Sequence, residues 1–220
     1  MHKPMIPLLL ACAAFGWTPE RRGPVTPLGP SEMTLEWTPG EGCVVRIASE
    51  SEEDLERVQV LRPDGRQLVD IAAHHGSRRG LTGLEIELRE SDLDTLIREY
   101  AEGTYAIRAS TVGGGEAAGS AVLSLALAAA PLIEHPQAGA NVSIHHLAVN
   151  WSTVEGAIAY EVQIEQGDDD GLRVRLPPQQ TSFQVPHDLL APGTETTVEV
   201  VAIAPNGNRT VSQSVFETRP

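Results

Sequence analysis

Beyond Pro131 the chain holds an apolar pattern for only a few residues before a turn pair cuts it, and it does so all the way to Pro220. Leu147, Val149 and Trp151 fall on one face of an extended segment, and Tyr160, Val162 and Ile164 fall on one face of the next. Phe183 with Val185, and Val198 with Val200 and Ala202, continue the period of two, while Val201 and Ile203 place apolar groups on the opposite face. Asp170-Gly171, Pro177-Pro178, Pro192-Gly193 and Asn206-Gly207 supply the φ preferences that end strands. No helical period interrupts this run. Strands so short can bury their apolar faces only against a second sheet, which predicts a β-sandwich of roughly 90 residues and about seven strands.

The preceding part of the chain reads as a second, more divergent sandwich. TLEWTPG around Trp37 is similar to LAVNWST around Trp151, and EGTYAIRAS is similar to PGTETTVEVVA, so a weak internal repeat is expected. Trp37 to Tyr105 is 68 residues whereas Trp151 to Thr196 is 45, so the first unit carries insertions. One is predicted to be helical: Leu93, Leu96, Ile97 and Tyr100 stand at i, i+3, i+4 and i+7, with Ser91 and Asp94 as a capping box, and this helix closes one end of the sandwich. A hairpin is expected around Pro63-Asp64-Gly65, and an alternating strand through Leu84, Ile86 and Leu88.

Trp151 on an early strand, the YEV run Tyr160 to Val162, and LAPGTET leading into VEVVAI together resemble a fibronectin type III domain over Ala130 to Thr218. That resemblance implies a tyrosine after the PGTE turn whose hydroxyl ties back upstream; here the position is Thr196, implying a looser corner, while Tyr105 keeps the tyrosine in the first unit. The fold class expected is therefore all-β: tandem immunoglobulin-like or fibronectin type III-like sandwiches, the first divergent with a short inserted helix. The arrangement resembles bacterial secreted proteins of no assigned activity that end in a fibronectin type III domain.

At the amino terminus His2 and Lys3 precede MIPLLLACAAFGW, an apolar run too short to cross a hydrocarbon layer of about 30 Å as a helix. Residues 1–16 are expected to be a secretory signal, with cleavage among Ala11, Ala13, Ala14 and Gly16. LLAC ending at Cys12 resembles a bacterial lipobox, which keeps a lipid-anchored form as the alternative to a secreted or periplasmic one. Residues 17–32 are expected to be a Pro-rich extended tether, 33–130 the divergent sandwich and 131–220 the fibronectin type III-like domain. The joining SLALAAAPLIEHP is apolar enough to pack between the units, which predicts limited hinge motion.

A formal charge of −14 makes nucleic acid a poor partner, since a duplex repels such a surface and no basic stripe offsets it. Residues 1–130 hold 19 acids against 12 bases and 131–220 hold 11 against 4, so the acidity is spread over both units. With Cys12 cleaved away or lipidated, Cys43 stands alone and is read as a small buried apolar group.

Candidates for chemistry are few. His74-His75 and His145-His146 raise a metal reading, yet adjacent strand residues face opposite ways and no Cys or carboxylate stands at ligand spacing. Asp168-Asp169-Asp170-Gly171 could draw calcium, but it lacks the longer ligand spacing of a calcium loop and reads as an acidic turn. His75-Gly76-Ser77 has no elbow and no orienting acid, and the Gly-rich TVGGGEAAGS has no lysine or phosphate-loop spacing and reads as a hairpin. Glu85 and Glu87 alternate with apolar residues as solvent-facing acids do, and Asn141, Asn150 and Asn208 match the glycosylation pattern in a chain whose resemblance is bacterial.

No catalytic, cofactor-binding or metal residue is therefore expected. The reading is an exported, non-enzymatic binding or spacer protein contacting protein or glycan, without a transmembrane segment and with no cofactor. The alternative is an accessory domain of, or a weak site for, an extracellular carbohydrate-active or hydrolytic enzyme, lodged in the first unit. It would need a concave pocket that gathers His74 or His75 with Asp70, Glu85 or Asp92.

Overall fold

A computed structural model describes residues 25–73, 80–167 and 169–220, excepting the side chains of 169 and 170. In chain order the elements are β1 (Val25–Pro27), β2 (Ser31–Thr38), β3 (Gly42–Leu61), β4 (Gln67–Ala72), β5 (Leu81–Glu90), α1 (Leu93–Glu99), β6 (Gly103–Thr111) and β7 (Glu116–Leu123). There follow β8 (Ile133–His135), β9 (Asn141–Ser143), β10 (Ala148–Trp151), β11 (Ala159–Gln166), β12 (Asp169–Leu176), β13 (Ser182–Gln184), β14 (Glu195–Ile203) and β15 (Arg209–Arg219). The protein is all-β apart from α1 and two single 3-10 turns, and its strands form sandwiches of the immunoglobulin-like, fibronectin type III-like kind.

The first unit is organised by β3. Its first half pairs with β2 and β5, its second half with β4 and β6, and the register breaks between Glu50 and Leu55. One bent strand thus serves both layers. Val45 and Ile47 before the bend, and Val58 and Val60 after it, point into the same core as Leu35, Tyr105 and Ile107. Each such side chain, buried to within a few per cent, contributes about 1.5–3 kcal/mol of transfer free energy. α1 lies at the rim and inserts Leu96, with Tyr100 just past its end.

The second unit packs β12-β11-β14-β15 against a three-stranded sheet, β13-β10-β8. The predicted faces meet: Leu147, Val149 and Trp151 from one layer contact Tyr160, Val162, Ile164, Val198 and Val200 from the other. Trp151 and Tyr160 sit edge to face, with ring centroids 5.5 Å apart. Val201 and Ile203 join Ala159 and Val211 in a small cluster on the opposite face.

The two corners solve the same problem differently. Tyr105 Oη donates to the Ala101 carbonyl at 3.0 Å, the tie expected of a corner tyrosine. At Thr196 the expected loosening is absent, because a polar network takes the tyrosine's place. Gln166 and Ala191 exchange two hydrogen bonds of 2.8 and 3.1 Å, and Gln166 Nε2 also donates to Thr196 Oγ1 at 2.8 Å. Thr218 Oγ1 completes the network by donating to the Ala191 carbonyl at 2.7 Å.

Several expectations need correction. Asp92, rather than Ser91, caps α1: its carboxylate accepts from Thr95 N at 2.8 Å, and Ser91 Oγ donates to Asp92. Ile97 is 48% exposed, since a helix of seven residues at the rim can aim only one short stripe at the core. The turn between β11 and β12 uses Gly167, at φ +64°, and Gly171 instead lies within β12, where an added Cβ would collide with the Ile164 carbonyl. Part of the expected tether is ordered: Val25–Pro27 pair in parallel with β7, and Ser31 already opens β2.

Candidate functional site

Among the described residues, those singled out for chemistry do not converge. Asp70 on β4 accepts two bonds from the Arg57 guanidinium, at 2.7 and 2.5 Å, and one from Gln59. These bonds hold its carboxyl down to about 2. Glu85 is exposed on β5, 3.5 Å from Arg46 Nε, and Asp92 is committed to the helix cap. His74, His75 and Ser77 lie outside the described residues, as do residues 1–24 with Cys12, Asp168, and the side chains of Asp169 and Asp170.

His145 and His187 bring their rings to 5.2 Å at the end of the second unit, and His187 Nε2 lies 2.7 Å from Asp188 Oδ1. Among the described residues no group of three or more His, Cys, Asp or Glu could hold a metal ion. Cys43 is buried on β3, and burial, reinforced by Asp92 and Glu90, pushes its thiol up to about 11. Such a thiol is inert at neutral pH. TVGGGEAAGS forms the β6–β7 hairpin, turned at Gly114 with φ +82° and closed by Gly115 N donating to Thr111 Oγ1.

What the fold does assemble is a polar junction between the two cores. Asn208, 1% exposed at the start of β15, accepts from Leu35 N at 2.9 Å and donates to the Ser124 and Ala126 carbonyls at 2.7 and 2.9 Å. Asn206 donates to Ala126 O, and Thr210 Oγ1 donates to Ala128 O. The side chains of one turn thereby hold three alternate carbonyls of the connecting segment. That segment packs Leu125 and Leu127 on the first core and Ala128 on the second, as its apolar character predicts.

Backbone and charge extend the junction. Arg209 and Thr210 of β15 register in parallel with Glu36 and Trp37 of β2. Arg209 bridges the units, donating from Nε to Glu36 and from Nη2 to Glu161, each at 2.7 Å. Burial acts to raise Glu161, but the Arg209 hydrogen bond and the charges of Arg209 and Arg173 outweigh it, leaving the carboxyl below its ordinary range. Across the same face Glu199 is pushed up, first by burial and then by Glu165, Glu36 and Glu41. The sequence marks Asn206-Gly207 as a turn and Asn208 as a glycosylation match, but not the junction, because Asn208's partners are main-chain groups that leave no mark in a sequence. Asn208 also cannot carry a glycan while its amide nitrogen makes both bonds.

One concavity of the described surface, about 550 Å3, runs between the Thr38–Glu41 turn, the segment 131–138 and the edge of β15. A second of about 460 Å3 opens toward the core between Leu172 and Leu190, and a third of about 430 Å3 is a shallow dip at Gly139 and Phe216. None of the three is lined by a histidine.

No family model matches the chain, and no curated protein matches it. Among solved structures, a two-domain fibronectin type III segment from chicken tenascin is similar at 13% identity, covering 87% of this chain and 99% of that one, with a TM-score of 0.34. The fibronectin(III)-like modules of Clostridium thermocellum CbhA match at 9% identity, 89% and 91% coverage and a TM-score of 0.35. A tetra-tandem repeat from the extending region of a large adhesion protein matches at 14% identity, 84% and 48% coverage and a TM-score of 0.31.

Proposed function

We propose that this chain is an exported, non-catalytic spacer or binding protein whose two sandwich units, divided near Ala130, act as one stiff body. The observation that carries the reading is the junction: a buried asparagine with three hydrogen bonds, an arginine shared by two carboxylates and a two-residue strand pairing all join β15 to the first unit or to the connecting segment. Sandwich units in one chain move relative to each other unless an interface holds them. Here the holding groups are polar and directional, so they fix an angle as well as a contact. The acids a catalytic site would use are engaged in pairing or capping, as Asp70 and Asp92 are. Export is supported by the apolar run at residues 5–17 and by a surface dominated by acids. No helix among the described residues is long and apolar enough to cross a membrane.

Small-angle scattering tests stiffness. The native chain is expected to scatter as one rigid particle, and the double variant Asn208→Ala/Arg209→Ala as a broader, longer ensemble; a flexible native chain sinks the spacer reading. Mass spectrometry of protein recovered outside the producing cell tests export, with an amino terminus near residue 17 or a lipid on Cys12 expected. Full-length chain retained inside would overturn it.

A further inference from the structure

We infer that the uncovered edge of β15, between Val211 and Val215, takes up an extended segment of a partner protein bearing lysine or arginine, adding it to the sheet as a strand. Val215 O accepts from Gly139 N at 2.8 Å and Glu217 N donates to Ala140 O at 2.9 Å, so odd-numbered residues of β15 aim their backbone groups away from β14. At the other end β2 covers Arg209 and Thr210. Between these covers, the N–H and C=O of Gln213 have no backbone partner among the described residues.

That stretch forms the floor of the 550 Å3 groove, and five consecutive residues of β15 line it. Successive side chains of a strand point to opposite faces, so a run of neighbours lines a groove only when the groove looks onto the strand's edge. Residues 211–215 span roughly 13 Å, enough for a short added strand. Leu132, 66% exposed at the rim beside Ile133, offers the apolar contact that an added strand's side chains need.

Two comparisons favour an occupant. The edge of β12 is defended in the usual way, by exposed Arg173 and Arg175 side chains, whereas Val211, Ser212, Gln213, Ser214 and Val215 include neither a charge nor a proline. Glu41 is the one charged residue lining the groove among the described residues, and the chain carries −14 overall. The field draws a cationic segment and opposes a second copy of the chain. This inference stands apart from the spacer reading, since a stiff spacer has no need of an open edge.

Fluorescence anisotropy of the full chain with a labelled peptide, Lys-Val-Thr-Val-Thr-Val-Lys, tests it. Binding is expected, with loss when glutamates replace the lysines. Gln213→Pro removes an edge donor that the β14 ladder does not use, and should weaken binding about tenfold or more with an unchanged circular dichroism spectrum. Glu41→Lys should weaken it several-fold, and a probe N-methylated at alternate residues should fail on the unaltered protein. The inference is overturned by absent binding, by equal binding of the N-methylated probe or the Gln213→Pro chain, or by a concentration-dependent dimer that Gln213→Pro abolishes.

Discussion

Glu161 and Glu199 occupy neighbouring strands on one face, opposite Val201 and Gln163 respectively, yet their surroundings drive them apart. Arg209 keeps Glu161 below its ordinary range, so its contribution is present above the unfolded value near 4.5 and is lost as pH falls through the lowered folded value. Glu199 is raised, so its ionisation penalises the fold at neutral pH, and the penalty disappears below the unfolded value. Glu199→Gln is therefore expected to stabilise the protein by about 0.5 kcal/mol at pH 7 and by nothing measurable near pH 4, read from urea midpoints at the two pH values. A gain that persisted at pH 4 would assign the effect to something other than charge. None of this was legible beforehand. Alternation along β11 and β14 showed which residues share a face, but not that Arg209, close to fifty positions from Glu161, would be folded against it.

At the scale of elements, sequence was most informative where one face of a strand must be dry. Leu147 to Trp151, Tyr160 to Ile164 and Val198 to Ala202 were readable because the residues that face the core are apolar at every second position. Tyr105 was readable for a related reason, since its hydroxyl has one stereotyped duty. Tyr105→Phe is expected to cost about 1 kcal/mol by leaving the Ala101 carbonyl without its donor. Gln166→Ala should cost more, about 2 kcal/mol, because it leaves Ala191 N without an acceptor and removes one donor each from the Ala191 carbonyl, which keeps Thr218, and from Thr196. Chemical denaturation of the two variants checks the order, and a costlier Tyr105→Phe would contradict the idea that the glutamine network replaces the tyrosine. That network was hidden because its other members stand 25 to 52 residues from Gln166 and its side chains are ordinary polar ones. The length of β3 was hidden too, since Ser51, Glu52, Glu53 and Asp54 carry no apolar side chain although the backbone passes through extended.

Across the whole molecule, hydrogen bonding runs without interruption from β1 through β7, β6, β3, β2, β15, β14 and β11 to β12. Two separate cores hang on this one ladder, and the β2–β15 pairing is its narrowest rung. Calorimetry of the native chain should accordingly show one coupled transition, and Asn208→Ala, which strands Leu35 N and the Ser124 carbonyl while Ala126 O keeps Asn206, should cost about 1–3 kcal/mol and split it into two. Two resolved transitions in the native chain would mean that the cores ignore each other. The bent strand β3 imposes a discipline of its own. Since a one-residue slip exchanges the buried and exposed sides of a strand, and β3 is aligned by β2 and β5 before its bend and by β4 and β6 after it, an error in either layer would have to be absorbed within Ser51 to Asp54 or passed to the other layer. Those four residues are thus the place where insertions can accumulate in this first unit while both alignments stay intact.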